Sequence, residues 1–281
     1  MHATFSKFRF LMLFMLLLPA GAGCSSMSPL MNRGAAADRI ARDGGFEKSF
    51  IKTKSFTLTA YCRCTKPGDP LNLYIEGDGS AWLSRRRLSA DPTPRNPLVL
   101  ELAGMDPAAN VAYLSRPGQY TATDSSQCDP SYWSDKRFSS EVVDALNDAT
   151  ETLRTRTRAS RINLIGYSGG AALAALIAAK RNDVVSLRTV AGNLDPVAVN
   201  RYHHVSPLDG SLNPMDAAVK LKGLPQRHFV GSKDAVVPPF IAQSFMKRAG
   251  NQDDGKITIV EGASHANGWR KRWKSLLAIP F

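Results

Sequence analysis

The sequence Ile162-Asn163-Leu164-Ile165 is followed directly by Gly166-Tyr167-Ser168-Gly169-Gly170 and then by Ala171-Ala172-Leu173-Ala174-Ala175-Leu176. The first part has the apolar character of a buried strand, and the last part has the Ala/Leu composition of a buried helix. Between them stands the pattern G-x-S-x-G, whose glycines permit a tight turn with strained backbone angles at the serine. The segment therefore predicts a nucleophilic Ser168 between a strand and a helix. The alternative is a glycine-rich turn that only packs the helix on the sheet.

Strand-like and helix-like patterns alternate on both sides of this turn. Apolar or alternating runs predict strands over 55–61, 71–76, 110–114, 161–166, 184–190, 228–230 and 256–260. Helical spacing predicts helices over 97–105, 139–156, 169–180, 239–249 and 267–277. Because helices that connect successive strands produce parallel pairing, we expect an α/β fold with a mostly parallel central sheet and helices on both faces. The reactive groups of such a fold collect at the carboxyl ends of the strands.

A nucleophilic serine needs a base, and the base needs an acid that orients it. Asp234 and His265 each follow a predicted strand, in the order serine, acid, base that accompanies the G-x-S-x-G turn in α/β folds. We therefore predict that Ser168, Asp234 and His265 are catalytic. Asp195, which follows the preceding strand, is the alternative acid, and a histidine that caps the last helix is the alternative interpretation of His265.

The oxyanion of a tetrahedral intermediate needs N–H donors. Gly169 supplies one at the start of its helix, and the loop Gly77-Asp78-Gly79-Ser80 supplies the second from Asp78 or Gly79. A carboxylate beside an oxyanion would oppose its charge. We therefore expect the Asp78 side chain to point away, towards Arg116 or towards backbone N–H groups.

Residues 70–281 resemble the α/β-hydrolase superfamily, with Ser168, Asp234 and His265 at the positions of its catalytic triad. More narrowly, the chain is similar to a group of exported bacterial serine hydrolases through Tyr74-Ile75-Glu76-Gly77-Asp78-Gly79, Ala112-Tyr113-Leu114-Ser115-Arg116-Pro117-Gly118-Gln119-Tyr120, Tyr132-Trp133-Ser134 and Arg137-Phe138-Ser139. The resemblance implies the α/β-hydrolase fold and hydrolysis through an acyl-enzyme, with no metal or organic cofactor. That group commonly has a cysteine where this chain has Gly118, which implies that Cys128 lacks its usual partner.

These features predict an esterase-like serine hydrolase that acts on a small acyl substrate, a modest ester or thioester. An amidase or peptidase with the same triad is one alternative, and a non-catalytic envelope module that binds polyanions is another. Residues 193–225 are a candidate small cap, but they lack the bulky amphipathic pattern of a lipase lid.

The amino terminus resembles an export signal. Lys7 and Arg9 precede the apolar run 10–18, and Gly21-Ala22-Gly23-Cys24 resembles the lipobox of bacterial lipoproteins. We expect a signal peptide over 1–23, lipidation of Cys24, a tether over 24–50 and a hydrolase domain over 51–281. The expected location is the bacterial envelope, as an outer-membrane lipoprotein that faces the periplasm. Cleavage after Ala20-Gly21-Ala22 would instead give a soluble periplasmic or secreted protein.

The remaining cysteines leave two interpretations. An oxidising compartment favours a disulfide between Cys128 and either Cys62 or Cys64, whereas three buried thiols are the alternative. Because the C-x-C pair has no histidine or further cysteine nearby, we predict no metal site.

Composition sets the outer limits. The 281 residues are 43% apolar and 21% charged, which excludes a disordered or collagen-like chain. The formal net charge of +12 is concentrated in three basic clusters: Arg85–Arg87, Arg154 with Arg156 and Arg158, and Arg270–Arg272 with Lys274. These clusters are interpreted as solvated faces or as contacts to anionic lipid or lipopolysaccharide. Nucleic acid is not an expected partner, since no reading motif accompanies the charge.

Overall fold

The computed structural model describes residues 1–2, 29–120, 128–250 and 256–281. Cys24 and the predicted signal peptide beyond its first two residues lie outside this part of the chain. No helix in the described ranges has the length and apolar character needed to cross a membrane.

Eight strands form one central sheet. The described ranges hold ten strands, eight of them in this sheet and β4 and β5 outside it: β1 (Glu47–Lys52), β2 (Thr57–Cys64), β3 (Leu71–Ile75), β4 (Trp82–Ser84), β5 (Arg87–Leu88), β6 (Asn110–Leu114), β7 (Ile162–Tyr167), β8 (Val184–Val190), β9 (Gln226–Gly231) and β10 (Ile257–Val260). The order in the sheet is β1-β2-β6-β3-β7-β8-β9-β10. Within this sheet, β2 pairs antiparallel with both of its neighbours and every other pair is parallel. The predicted mostly parallel sheet is therefore confirmed, while β4 and β5 form a separate antiparallel hairpin.

Helices cover both faces of the sheet, as predicted. They are α1 (Pro29–Asp43), α2 (Leu98–Gly104), α3 (Ser140–Thr157), α4 (Gly169–Ala178), α5 (Pro196–His203), α6 (Pro214–Ala217), α7 (Phe240–Arg248) and α8 (Trp273–Leu277). Buried side chains of α3, α4 and α7 share one apolar cluster with one face of the sheet. Those of α1, α2 and α8 share a second cluster with the opposite face. Strand β3 serves both clusters, because Leu71, Leu73 and Ile75 point to one side and Tyr74 points to the other.

The prediction of a tether over 24–50 is wrong for residues 29–50. Helix α1 buries Ala37 and Ala41, which lie one turn apart, and Phe46 is buried just beyond it. The Tyr61 hydroxyl in β2 donates to the Asp38 carboxylate at 2.6 Å and ties the helix to the sheet. The apolar face of α1 consists partly of alanine, so it lacks the large side chains that make a helical period visible in the sequence. Residues 29–50 therefore belong to the folded domain, which was expected to begin at residue 51.

Residues 193–225 form the connection between β8 and β9. The second half, with α6 and the 3₁₀ turn Ala218–Leu221, buries Ala218 and Leu221 in the apolar cluster that contains α4. A small cavity between this segment and the carboxyl end of α4 is lined by Leu176, Ala179 and Lys180. This half of the predicted cap therefore lies in the helical layer, about three turns of α4 away from Ser168.

The expected disulfide is absent, since Cys62, Cys64 and Cys128 are all free thiols. The alternative of three buried thiols is also wrong, because Cys64 is exposed and the other two are only partly buried. Burial is still sufficient to raise the pKa of Cys62 and that of Cys128 to about 11, so both thiols are protonated near neutral pH.

Replacing Ala37 by Asp tests whether α1 belongs to the folded domain. A carboxylate at this buried position has to be desolvated, so the free energy of unfolding should fall by ~2–4 kcal/mol. Ala35→Asp makes the same change at an exposed position of the same helix and should stay within ~0.5 kcal/mol of the wild type. Urea unfolding measures both differences. Equal effects of the two substitutions would show that α1 does not pack on the domain.

Candidate active site

Three predicted residues meet at the carboxyl edge of the sheet. Ser168 directly follows β7, Asp234 lies shortly after β9, and His265 lies shortly after β10. The Nε2 atom of His265 is 2.9 Å from Ser168 Oγ, and its Nδ1 atom is 2.9 Å from Asp234 Oδ2. The structure therefore joins the three side chains in one chain of hydrogen bonds, although they lie far apart in the sequence.

The backbone at Ser168 has φ 51° and ψ −121°, angles that few non-glycine residues adopt. Its N–H donates to the Val190 carbonyl at 3.0 Å, and its carbonyl accepts from the N–H groups of Ala171 and Asn193 at 3.0 Å each. These bonds hold the turn in its strained form. Gly170 is required because a Cβ there would overlap the carbonyl oxygens of Ile75 and Glu76.

Asp234 is fixed by its own loop. Its side chain has no exposed surface, and its Oδ1 atom accepts from the N–H groups of Val236 and Val237 at 2.8 Å each. The other carboxylate oxygen is left for Nδ1 of His265. A carboxylate in this position selects the imidazole tautomer with a proton on Nδ1, which leaves the Nε2 lone pair facing the Ser168 hydroxyl.

The backbone and the ring of His265 are both held by aromatic side chains. The carbonyl oxygen accepts from the indole N–H of Trp269 at 2.9 Å and from the Tyr167 hydroxyl at 3.1 Å. The ring centroids of Tyr167 and His265 are 5.4 Å apart. The His265 side chain is 20% exposed, so Nε2 and Oγ lie at the boundary between the core and the solvent.

Asp195, the alternative acid, has a different role. Its Oδ1 atom accepts from the Ala198 N–H at 3.0 Å and caps the amino terminus of α5. The structure thus places Asp234, and not Asp195, against His265. His203, on the same helix, makes a hydrogen bond to the Val236 carbonyl through Nε2 and supports the loop that carries Asp234.

The Asp78 carboxylate lies between two arginines. It forms an ion pair with Arg116, as expected from the sequence, and a second one with Arg137 Nε at 3.4 Å. Burial alone would raise the pKa of Asp78, but the positive charges of Arg137 and Arg116 outweigh it and lower the pKa. The side chain does not point away from the oxyanion region, because a Cβ on Gly169 would overlap Asp78 Oδ1. Two arginines against one carboxylate leave a net positive charge beside Gly169.

Glu76 is buried on the core side of the same loop and holds its first residue. The sequence analysis did not identify it. Its carboxylate accepts from the Gly77 N–H and from the Tyr113 hydroxyl, each at 2.8 Å. Burial raises the pKa of Glu76 to about 7, although both hydrogen bonds oppose the shift. The available signal was an acidic residue at the end of an apolar strand, in Leu73-Tyr74-Ile75-Glu76.

Solved structures resemble this chain in fold. Est1E from Butyrivibrio proteoclasticus has a TM-score of 0.57 and 13% identity over 82% of this chain and 95% of its own. The Pyrococcus furiosus esterase Pf2001 has a TM-score of 0.58 and 15% identity over 84% and 91% of the two chains. The chain has the α/β-hydrolase fold.

A third structure with this α/β-hydrolase fold is a serine hydrolase homologue from Coxiella burnetii. Its TM-score is 0.55, with 18% identity over 82% of this chain and 93% of its own. No model of a protein family matches the sequence, and no curated protein matches it. In the described part of the chain, no three His, Cys, Asp or Glu residues lie close enough together to hold a metal ion.

Glu76→Gln should remove one component of the pH dependence of stability. Below pH 4.5 the carboxyl group is protonated in both the native and the unfolded chain. Between pH 4.5 and 7 only the native chain retains the proton, so the wild type loses about 3 kcal/mol of stability as the pH rises, and above pH 7 the loss is complete. The free energy of unfolding of Glu76→Gln, relative to the wild type, should therefore increase by that amount across this range.

Urea unfolding at pH 4.5, 6 and 7.5 measures this difference. Glu47→Gln removes one carboxyl group from an exposed strand position and serves as the control. Parallel stability curves for Glu76→Gln and the wild type would contradict the role given to Glu76.

Proposed function

We propose that this protein is a serine hydrolase that cleaves a carboxylic ester or thioester of modest size through an acyl-enzyme. The proposal rests on one observation, the hydrogen-bonded chain from Ser168 through His265 to Asp234 on a strained turn. That arrangement activates a hydroxyl as a nucleophile, and a turn that only packed a helix would need neither the histidine nor the buried carboxylate.

Acylation begins when Ser168 Oγ attacks the carbonyl carbon of the substrate and its proton passes to His265 Nε2. Asp234 stabilises the resulting imidazolium without taking the proton. The oxyanion is bound by the N–H of Gly169 and by that of Asp78 or Gly79. When the tetrahedral intermediate collapses, the alcohol or thiol leaves with the proton from Nε2, and the acyl group stays on Ser168.

Deacylation repeats these steps with water as the nucleophile. His265 takes a proton from water, the hydroxide attacks the acyl carbon, and Ser168 recovers its proton from Nε2 as the carboxylic acid leaves. Every proton is returned within the cycle, so the residues present are sufficient for the chemistry.

The electrostatics of the loop at residues 77–80 support this proposal. The N–H of Gly169 has no acceptor within α4, because it belongs to the first residue of that helix. The partial positive charge of the helix amino terminus adds to the excess positive charge of Arg116 and Arg137. Together they offset the Asp78 carboxylate and favour negative charge on the substrate oxygen. The name of one structural neighbour, the Pyrococcus furiosus esterase Pf2001, agrees with an ester as substrate.

Labelling with a fluorophosphonate probe tests the nucleophile. We expect covalent labelling of the wild-type chain and none of Ser168→Ala, since the probe reacts only with an activated serine hydroxyl. Ser244→Ala, the same change on helix α7, is the matched control and should label like the wild type. Labelling of Ser168→Ala, or a folded wild type that resists labelling, would refute the proposal.

Asp234→Asn tests the acid. Asparagine keeps the shape but removes the charge and favours the wrong imidazole tautomer, so kcat for a short-chain nitrophenyl ester should fall by ~10³–10⁴-fold. Asp195→Asn keeps the helix cap, because asparagine also caps, and its kcat should stay within about twofold of the wild type. Steady-state kinetics on both variants separate the candidates. A large loss with Asp195→Asn and a small one with Asp234→Asn would reverse the assignment.

A further inference from the structure

The β4–β5 hairpin presents apolar and basic side chains together to the solvent. Trp82 is 48% exposed and Leu83 is 41% exposed. Arg85, Arg86 and Arg87 follow them, and all three are exposed. In the described part of the chain, no ion pair joins these arginines to an acidic residue. The hairpin therefore combines uncompensated positive charge with exposed apolar surface.

The base of this hairpin is fixed to the domain. Ala81 and Ser89 are buried, and the Ser89 N–H donates to the Ala81 carbonyl at 2.8 Å. The buried Trp133 donates its indole N–H to the Ser89 carbonyl at 2.9 Å. The exposure of Trp82 and Leu83 is thus a property of a held hairpin and not of a free chain end.

The hairpin also lies at the functional edge of the sheet. It follows β3 through residues 76–81, so it emerges at the same carboxyl edge as Ser168. Other large apolar side chains are exposed in the segments that follow β8 and β9 at this edge, and they are Val197, Tyr202, Val205, Val236 and Phe240. Exposed apolar surface therefore occurs in connections on both sides of β7 at the edge that carries the candidate active site.

We propose that the β4–β5 hairpin docks the protein on a bilayer that contains anionic lipid. Trp82 and Leu83 enter the interfacial layer, where an indole ring with one polar group is favourably placed. Arg85, Arg86 and Arg87 bind lipid phosphate groups, which guanidinium recognises with paired hydrogen bonds. Docking in this way turns the carboxyl edge of the sheet towards the membrane. This inference goes beyond the proposed function, because hydrolysis of a dissolved ester does not require it.

A soluble polyanion is the competing partner for three arginines. Such a ligand would use the charges but would gain little from an exposed Trp–Leu pair. The combination of both features in one hairpin, and its place on the edge that also exposes Tyr202 and Phe240, favours a lipid surface.

Trp82 provides a local test in the full chain. The sequence has four tryptophans, and the other three, Trp133, Trp269 and Trp273, are buried. Vesicles of phosphatidylcholine with about 30% phosphatidylglycerol, brominated in their acyl chains, quench a tryptophan that enters the bilayer. The Trp82 contribution is the difference between the wild type and Trp82→Phe. We expect this contribution to be quenched on the anionic vesicles and to remain unquenched on vesicles of phosphatidylcholine alone. An unquenched Trp82 on anionic vesicles would overturn the proposal, even if the chain binds them through another segment.

The triple variant R85Q/R86Q/R87Q should require about 100-fold more anionic lipid for half-maximal quenching. The matched control K220Q/K222Q/K247Q removes the same charge from exposed lysines that lie near the amino ends of β9 and β10, and it should change this value by less than about threefold. Equal losses in both variants would indicate a general charge effect and overturn a specific hairpin site.

The substitution Leu83→Ser distinguishes a lipid partner from a soluble polyanion. We expect weaker vesicle binding of this variant with unchanged binding to heparin. Unchanged vesicle binding, together with heparin binding that depends on Arg85–Arg87, would assign the hairpin to polyanions and overturn the lipid proposal. Hydrolysis of a dissolved ester without vesicles should be the same in the hairpin variants and the wild type, which shows that they fold.

Discussion

The close approach of α4 to the carboxyl end of β3 is the constraint on which the candidate site depends. Gly170 lies so near the carbonyls of Ile75 and Glu76 that no side chain fits between them. This contact sets the position of Ser168 at one end of the turn and that of the loop at residues 77–80 at the other. It also brings Gly169 and the Asp78 side chain together. A larger residue at position 170 would move Ser168 away from the predicted oxyanion loop at residues 77–80 without changing any side chain of the predicted triad.

Charge in this crowded region is arranged in two layers. Glu76 lies inside the core and is held by Tyr113 and the Gly77 N–H, whereas Asp78 lies nearer the solvent between Arg116 and Arg137. Burial raises the pKa of the first carboxyl group to about 7, and the arginines lower the pKa of the second. Near neutral pH, Glu76, which lies behind the loop, is therefore partly protonated. Asp78, which faces Gly169, stays ionised, and the charges of Arg116 and Arg137 neutralise it. The loop can therefore hold an acidic residue without presenting uncompensated negative charge to the predicted oxyanion position.

The sequence predicts the parts that depend on local pattern. The strand–turn–helix at Ser168 carries its own signal, and the alternation of strands and helices is sufficient for the parallel sheet. Sequence pattern alone does not separate Asp234 from Asp195, because both follow strands at the same edge and only the distance to His265 distinguishes them. Helix α1 was missed because its buried face contains alanines. The β4–β5 hairpin was missed because its strands are two and three residues long and rich in arginine.

One segment of chain carries both the predicted oxyanion loop and the exposed hairpin, so the two could disturb each other. The structure separates them by anchoring the chain between them. Gly77 is held by the Gln119 side chain at its carbonyl and by Glu76 at its N–H, and the Ser80 N–H donates to the Pro92 carbonyl at 2.9 Å. Beyond these anchors, the Ser89–Ala81 bond closes the base of the hairpin. These hydrogen bonds therefore isolate Asp78 from movements of Trp82 and the arginines. The hairpin can contact a surface while the loop at residues 77–80 keeps its geometry.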